Sequence, residues 1–185
     1  PAYHWIDIDR ARHRFLHPLF DFFGSASLRV WIDREISAAE FSRVGCRGLV
    51  TAAGMLQGRP VAIAWSDFRV NAASYGHANS RRLNALLQHL DGAGRDSVPL
   101  IYVVNSAGLS LMEGRALFAD AFALWPALLG YARRHLVLTC AVGKCLGLAP
   151  LLFGLGHYRV AVAGGTQLNL TGPEVLTLFF GREVD

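Results

Sequence analysis

The chain is 185 residues long, is 52% hydrophobic and 17% charged, and has a formal net charge of +4. This length and hydrophobic content are typical of one domain with one sizeable buried core, and they exclude large-scale disorder. The basic character is almost entirely arginine, since Lys144 is the one lysine in the sequence. No basic run is interleaved with aromatic residues, so we do not expect nucleic acid as a partner.

The cysteines and the apolar segments bound the cellular context. The three cysteines form no Cys-x-x-Cys pair, which argues against a disulfide framework and a structural zinc site and favours a reducing cytoplasm. His13 and His17 have helical spacing, but Pro18 beside them disfavours a continuous helix, so no metal is predicted. The most apolar segment, 136–162, contains Lys144 and other charges, so we expect neither secretion nor a membrane partner.

The first 47 residues are predicted to form an N-terminal helical arm. Apolar residues recur between Ile6 and Phe23 in a pattern typical of one or two short amphipathic helices. The segment 37–40, Ser-Ala-Ala-Glu, has capping-box spacing and predicts a further helix reaching about Val44. Asp7 and Asp9, which alternate with isoleucines, are typical of a surface strand or loop.

From Gly48 onwards, strands and helices are predicted to alternate. Segments 49–56 and 60–68 are typical of a β-hairpin, and a small-residue turn over 71–76 leads into an amphipathic helix over 77–90. The pattern then repeats, with strands predicted at 98–104, 136–142, 158–163 and 167–170. The helical pattern over 109–132 is expected to divide or kink near Pro126, and a short helix is expected up to about Leu155.

The turn after the strand at 98–104 contains Asn105, Ser106, Ala107 and Gly108. A helix beginning at Ser106 would leave the amides of Ala107 and Gly108 without internal partners at the positive end of the helix dipole, where they could hold an oxyanion. An ordinary capped helix after a buried strand is the alternative. The overall order predicts an α/β layered fold, without the glycine motifs of dinucleotide-binding, P-loop or α/β-hydrolase proteins.

Four segments carry a resemblance to a known family: 68–76 (FRVNAASYG), 105–114 (NSAGLSLMEG), 143–149 (GKCLGLA) and 169–175 (NLTGPEV). Together they resemble the carboxyltransferase family of biotin-dependent acyl-CoA carboxylases, and within it most closely the malonate decarboxylase β subunits. The resemblance implies a crotonase-like β-β-α superhelix over 48–185 that forms a single half-site. It also implies a thioester substrate, acyl-CoA or phosphopantetheine-linked, with no bound cofactor.

The resemblance also implies roles for individual residues. The amides of Ala107 and Gly108, with Leu109 beside them, correspond to the family's oxyanion hole. Tyr75 and His77 are the nearest proton-donor candidates by sequence, although a packed tyrosine and a helix-start histidine are the simpler interpretations. The remaining residues implied to bind substrate are Ala72, Ala73, Ser74, Gly76, Ser106, Gly147 and Leu148.

The sequence departs from the family at its glycine pairs, which are Ala72-Ala73, Ala107-Gly108 and Gly147-Leu148. Alanine disfavours positive φ, so we expect a helical or extended turn where it replaces glycine. A single half-site also implies a second crotonase-type half, in a homo- or hetero-oligomer.

Three functions remain open on the sequence. The first is decarboxylation of a malonyl-type thioester through an oxyanion-stabilised enolate. The second is carboxyl transfer from biotin carried by another protein. The third is a catalytically weak scaffold subunit that binds an acyl carrier protein through arginines such as Arg12, Arg14, Arg81 and Arg82. Cys145 and Glu113 are interpreted as structural residues.

Overall fold

The computed structural model describes residues 3–13, 16–25, 27–33, 48–92 and 97–183. Within this part of the chain, seven strands form one sheet in sequence order. The strands are β1 (Tyr3–Asp9), β2 (Ser27–Asp33), β3 (Leu49–Leu56), β4 (Arg59–Ser66), β5 (Leu100–Ser106), β6 (Val137–Leu146) and β7 (Tyr158–Asn169). The helices are α1 (His17–Phe23), α2 (His77–Gly92), α3 (Leu117–Phe122), α4 (Leu124–Ala132), α5 (Leu148–Phe153) and α6 (Pro173–Phe180).

The sheet changes from antiparallel to parallel pairing at β4. Strands β1 to β4 pair antiparallel with their neighbours, whereas β4 to β7 pair parallel. Parallel strands need a crossover segment, which the helices between them supply. As a result, the carboxyl ends of β4, β5, β6 and β7 lie at one edge of the sheet, and the small-residue turns that come after them lie there too.

The β3–β4 hairpin, the helix over 77–90 and the alternating order after it are confirmed. Gln57 and Gly58 join β3 to β4 with positive φ values of 51° and 77°, as a two-residue hairpin turn requires. Leu49 pairs with Ser66 across this hairpin.

The N-terminal segment corrects the sequence prediction. Of the predicted helices only α1 is present in the described part of this segment, and β1 and β2 form a hairpin that extends the main sheet. The arm is therefore not purely helical, because the alternating residues of β1 pair with β2 instead of wrapping around a helix. The predicted helix over 37–44 lies outside the described residues, and the domain boundary at 47 and 48 stays a prediction.

Two hydrophobic clusters cover the two faces of the sheet. The larger cluster joins β4, β5 and β6 to α2, α3, α4 and α5, with Leu83, Leu86, Tyr102, Leu124 and Leu152 almost fully buried. The smaller joins α1 to β2, β3 and β4, around Phe20 and Ile63. Burial of each large apolar side chain stabilises the fold by about 1.5–3 kcal/mol. Because both faces of the sheet are buried, the central strands form a rigid base for the turns at their ends.

Two further elements differ from prediction. No long helix comes directly after β5: a 3-10 turn spans Leu111–Glu113, and α3 begins only at Leu117. The helical segment over 117–132 does divide as predicted, at Ala123 in the turn before Pro126, because Pro126 has no amide to donate to that turn. The two predicted strands after 158 form one strand, β7.

The end of the described chain is much less buried than the rest. Most residues of β7 are exposed, and β7 pairs with β6 alone. In α6, Leu178 is 85% and Phe179 is 82% exposed. None of the described helices is both long and apolar enough to span a membrane.

Candidate active site

Three turns meet at the carboxyl edge of the parallel strands. We name them the β4 turn (71–74), the β5 turn (106–109) and the β6 turn (146–149). The amide of Ala107 donates to the carbonyl of Ala72 at 3.0 Å, and the hydroxyl of Ser106 donates to the carbonyl of Ala73 at 2.8 Å. These bonds join the β4 turn to the β5 turn, so two of the four segments that carry the family resemblance are neighbours in space.

The backbone of the β5 turn provides one outward-facing amide. The amide of Gly108 donates to Ser106 Oγ at 3.1 Å. On either side of Leu109, the carbonyl of Gly108 accepts from the Tyr75 amide at 2.8 Å and the amide of Ser110 donates to the Tyr75 carbonyl at 3.1 Å. Because those groups face Tyr75, the Leu109 amide points the other way, and it has no acceptor among the described residues.

This arrangement corrects the argument for the oxyanion hole. Ser106 is the last residue of β5 and is buried, so it does not cap a helix. Ala107 and Gly108 do not lie at a helix N-terminus, and their amides already donate to Ala72 and Ser106. Of the three residues named from the sequence, Leu109 retains the available donor.

The β5 and β6 turns pack glycine against glycine. Gly108 has a φ of +95°, and a Cβ built there would lie 2.9 Å from the carbonyl oxygen of Leu146. A Cβ on Gly147, whose φ is +61°, would lie 3.6 Å from Gly108 Cα. The two backbones approach this closely because neither residue carries a side chain.

The β4 turn is left-handed. Asn71, Ala72 and Ala73 have φ values of 48°, 49° and 47°, so the expectation of a helical or extended turn is wrong. The interactions that hold it include the amide of Ser74 donating to the carbonyl of Asn71 at 3.0 Å, besides the bonds to the β5 turn. Tertiary contacts thus impose a conformation that alanine alone disfavours.

Two cavities border the β5 turn and share Leu109 and Leu111. The larger, of about 800 Å³, is lined by Val70, Asn71, Ser74, Gly76, Ala78, Asn79, Leu109, Ser110, Leu111, Met112 and Glu113. We call it the Glu113 cavity. The smaller, of about 450 Å³, is lined by Phe68, Ala107, Gly108, Leu109, Leu111, Lys144, Leu146, Gly147, Leu170, Thr171, Gly172 and Val175. We call it the Lys144 cavity.

The cavities divide the predicted substrate-binding residues. Ser74 and Gly76 line the Glu113 cavity, and Gly147 lines the Lys144 cavity. The remaining four line neither and contribute from behind: Ala72, Ala73 and Ser106 hold the turns together, and Leu148 is a buried first residue of α5.

Tyr75 is contradicted as a proton donor. It is 2% exposed and lies in the larger hydrophobic cluster, where its hydroxyl is 2.5 Å from that of Tyr102. Burial raises the pKa of Tyr75 well above its ordinary value. Tyr75 lines neither cavity, so the packed tyrosine is the correct interpretation, and its contribution to the site is the backbone pairing with the β5 turn.

His77 also faces away from both cavities. Its Nδ1 lies 2.5 Å from Oδ2 of Asp120 on α3, and Arg81 Nε donates to the same oxygen at 2.7 Å. The hydrogen bond from His77, with Arg81 beside it, lowers the pKa of Asp120. The side chain of His77 therefore connects α2 to α3, and its predicted role as a proton donor has no support in this geometry.

Glu113 stabilises the first turn of α2. Its Oε2 accepts the amide of His77 at 2.7 Å, which is the position where a carboxylate satisfies an orphan helix amide. A Cβ on Gly76 would lie 1.9 Å from Glu113 Oε1, so a side chain at this position would displace the carboxylate. The structural interpretation of Glu113 is confirmed, although its carboxylate also lines a cavity.

Cys145 and Arg82 are buried structural residues, whereas Arg81 and Arg12 form ion pairs at the surface and Arg14 lies outside the described residues. Cys145 is buried, its Sγ lies 3.2 Å from the carbonyl oxygen of Val104, and burial raises the pKa of its thiol to about 11. Arg82 is 1% exposed and donates to the Leu49 carbonyl, so it cannot serve as a docking arginine. Arg81 is bonded to Asp120, and Arg12 lies 3.7 Å from Asp9.

With this geometry established, a family comparison identifies the chain. The carboxyl transferase domain matches residues 28–185. The chain belongs to the carboxyl transferase family. The match begins within β2.

Relatives in the carboxyl transferase family have several activities. The chain is 26% identical over 140 residues to the propionyl-CoA carboxylase beta chain of Saccharopolyspora erythraea, covering 74% of this chain and 24% of the relative. It is 27% identical over 139 residues to the methylmalonyl-CoA decarboxylase subunit alpha of Propionigenium modestum, covering 74% and 26%. The chain therefore spans about a quarter of the length of these relatives.

The fold is confirmed by solved structures. A Pseudomonas malonate decarboxylase hetero-tetramer in complex with malonate matches with a TM-score of 0.74 at 20% identity, covering 92% of this chain and 63% of that one. The transcarboxylase 12S hexamer with hydrolysed methylmalonyl-CoA matches with a TM-score of 0.71 at 20% identity, covering 94% and 36%. The mixed α/β sheet is thus that of carboxyltransferase and crotonase-fold enzymes, and these neighbours are oligomers.

Two residues at or beside the Lys144 cavity were missed by sequence reasoning. Asn105 Oδ1 accepts a hydrogen bond from the Lys144 amide at 3.0 Å. A Cβ on Gly143 would lie 2.8 Å from the same oxygen. Lys144 is the one charged residue among the described residues that line its cavity. The available signal was its isolation: a single lysine in an arginine-rich chain, placed in a motif that carries the family resemblance.

Proposed function

We propose that this chain is a cytoplasmic subunit of an enzyme that decarboxylates a malonyl-type thioester of coenzyme A or of an acyl carrier protein. The observation that carries the proposal is the Leu109 amide, which has no acceptor among the described residues and belongs to a residue that lines both cavities. An amide fixed on a rigid turn is suited to hold the oxygen of an enolate. Membership of the carboxyl transferase family supports the thioester class.

In the proposed reaction, the bond between the α-carbon and the carboxylate carbon breaks and carbon dioxide leaves. Its electron pair forms the enolate, whose oxygen accepts the Leu109 amide proton in a hydrogen bond. A proton donor then delivers a proton to the α-carbon, which yields the acyl thioester. Neither Tyr75 nor His77 faces a cavity, so we assign the donor to a second crotonase-type half supplied by another copy or another subunit.

Carboxyl transfer is the alternative, favoured by the relative that is a propionyl-CoA carboxylase beta chain. The same amide would hold the enolate of the acyl thioester while it accepts the carboxyl group. Biotin would have to be carried by another protein. The scaffold hypothesis is supported by the amides of Ala107 and Gly108, which already donate hydrogen bonds within the protein. Among Ala107, Gly108 and Leu109, one amide donor therefore remains available.

The test compares two substitutions at Leu109. Leu109→Pro removes the amide proton without breaking a hydrogen bond among the described residues, whereas Leu109→Ala keeps the amide and removes the side chain. With the chain and its copurifying partner on malonyl-CoA and malonyl-carrier protein, without biotin, we expect Leu109→Pro to lower kcat about 100- to 1,000-fold. Thioester mass measures the loss of carbon dioxide.

Leu109→Ala is the matched control and is expected to retain most of kcat, since the donor remains. Circular dichroism establishes that both variants are folded. Equal losses in both variants would contradict a role for the amide. No turnover by the unaltered preparation, together with thioester binding, would leave carboxyl transfer or the scaffold as the better hypothesis, and addition of carboxybiotin would separate those two.

A further inference from the structure

The backbone of Tyr75 is attached to the β5 turn on both sides of Leu109. The amide of Tyr75 donates to the carbonyl of Gly108 at 2.8 Å, and its carbonyl accepts from the amide of Ser110 at 3.1 Å. Tyr75 and Leu109 thus form an isolated parallel β-bridge. In such a bridge the amide of the bracketed residue points away from its partner. The backbone of Tyr75 therefore fixes the direction of the Leu109 amide.

Regular strand pairing ends before the β5 turn begins. The ladder between β4 and β5 ends at Trp65 and Val103. On the other side of β5, the register with β6 shifts after Val104. Beyond these points the turn is held by hydrogen bonds to the β4 turn and to Tyr75. The position of Leu109 thus depends on Tyr75 as well as on the sheet.

The side chain of Tyr75 anchors this backbone in the core. Ser74 and Gly76 line the Glu113 cavity, whereas Tyr75 between them is 2% exposed. Its hydroxyl lies 2.5 Å from the hydroxyl of Tyr102 on β5. The Tyr102 hydroxyl also forms a hydrogen bond with Ser66, the last residue of β4. These three buried hydroxyl groups join Tyr75 to the ends of both strands.

The hydroxyl pair gives Tyr75 a fixed position that packing alone does not provide. Apolar contacts keep the ring buried, but the hydrophobic effect has no preferred direction. The hydrogen bond between Tyr75 and Tyr102 fixes the far end of the ring, because a buried hydroxyl without a partner costs free energy. Accurate placement matters for catalysis, since displacement of a group by about 1 Å can lower a rate about 100-fold.

We propose that Tyr75 is a positioning residue: its hydroxyl, held by Tyr102, fixes its backbone, and its backbone aims the Leu109 amide at the enolate oxygen. This inference deepens the proposed function and rests on it. Tyr75 lines neither cavity, so it acts on the transition state through Leu109. Loss of its hydroxyl should lower kcat and leave KM nearly unchanged, because the groups that line the cavities remain.

The kinetic test uses Tyr75→Phe, which keeps the buried ring and removes the hydroxyl. With the chain and its copurifying partner on malonyl-CoA, without biotin, we expect kcat to fall about 5- to 30-fold and KM to stay within about twofold. Tyr102→Phe breaks the same hydrogen bond and should have a similar effect. The double variant should lose no more than the larger single loss, since the two hydroxyls act as one unit.

Tyr131→Phe is the matched control. Tyr131 is 1% exposed in the same hydrophobic cluster, and its hydroxyl donates to the carbonyl of Val98, before β5 begins. The substitution removes a bonded hydroxyl from the same core without altering a contact of the β5 turn, so kcat should not change. Circular dichroism establishes that each variant is folded. A loss of kcat in Tyr131→Phe as large as that in Tyr75→Phe would overturn the proposal.

Hydrogen exchange measured by mass spectrometry tests the proposal without turnover. The amides of Gly108 and Ser110 are hydrogen-bonded, so a peptide over 105–111 reports how firmly the β5 turn is held. Tyr75→Phe should speed exchange in this peptide about fivefold or more, and Tyr131→Phe should not. Unchanged exchange in Tyr75→Phe would contradict the positioning role. Absence of turnover by the unaltered preparation would contradict the proposed function instead, and the exchange result would still decide whether the Tyr75 hydroxyl holds the turn.

Discussion

The β5 and β6 turns have similar compositions but provide backbone donors differently. After β6, α5 begins at once, at Leu148, and Gly147 donates its amide to the carbonyl of Asn169 on β7. After β5, a regular helix begins only at Leu117, and the amides of Ala107 and Gly108 donate inward to Ala72 and Ser106, which leaves the Leu109 amide available. The element after each turn, more than the small residues within it, decides which amides stay available.

The largest effect should come from breaking the contact between these turns. Gly108→Ala places a Cβ 2.9 Å from the Leu146 carbonyl at positive φ, so we expect a loss of about 2–3 kcal/mol in the free energy of unfolding. In Gly147→Ala the new Cβ would make only an ordinary 3.6 Å contact. Its positive φ alone should lower the free energy of unfolding, by about 1–2 kcal/mol. Urea denaturation measures both, and equal losses would contradict the close approach.

Removing the hydroxyl of Ser106 tests how firmly the β5 turn is joined to the β4 turn. Ser106→Ala deletes the bonds to the Ala73 carbonyl and the Gly108 amide, and it leaves both groups unsatisfied near the buried end of β5. We expect the free energy of unfolding to fall by about 1–3 kcal/mol. Ser110→Ala, where the backbone makes the contact with Tyr75, is the control and should change stability by less than about 0.5 kcal/mol. A neutral Ser106→Ala would mean that the hydroxyl does not join the turns.

The smallest effect is a gain in the β4 turn, which unlike the other two has no glycine. Ala72→Gly relieves a left-handed φ of 49°. Relief of this backbone strain is worth about 1–2 kcal/mol, which exceeds the free-energy cost of the greater unfolded-state entropy of glycine. Thermal denaturation should therefore show a net stabilisation of about 0.5 kcal/mol. A decrease in melting temperature would indicate that the turn relaxes to another conformation.

The order of elements was predictable because apolar runs and punctuating small residues are local signals. The hairpin over 49–66 and the amphipathic α2 result from them directly. The four segments of family resemblance all lie at or just after the carboxyl ends of the parallel strands. These parts depend on neighbouring residues and not on distant ones.

The site could not be predicted in detail because its contacts are long-range. His77 meets Asp120 across 43 positions and Tyr75 meets Tyr102 across 27, so both candidate donors are engaged by partners that periodicity does not locate. The left-handed Ala72 is imposed by bonds to the β5 turn. The helical pattern after Ser106 was misleading, since the chain first makes a 3-10 turn there.

The exposed last strand has a consequence for the behaviour of this chain in solution. Among the described strands, β7 ends the sheet and presents a long hydrogen-bonding edge, and α6, which comes after it in the chain, exposes Phe179 and Phe180. Such an edge is a template for adventitious strand addition. When the chain is prepared alone, its second virial coefficient should be negative and become more so with added sulfate, because colloidal attraction between these apolar patches strengthens as the anion is excluded from them.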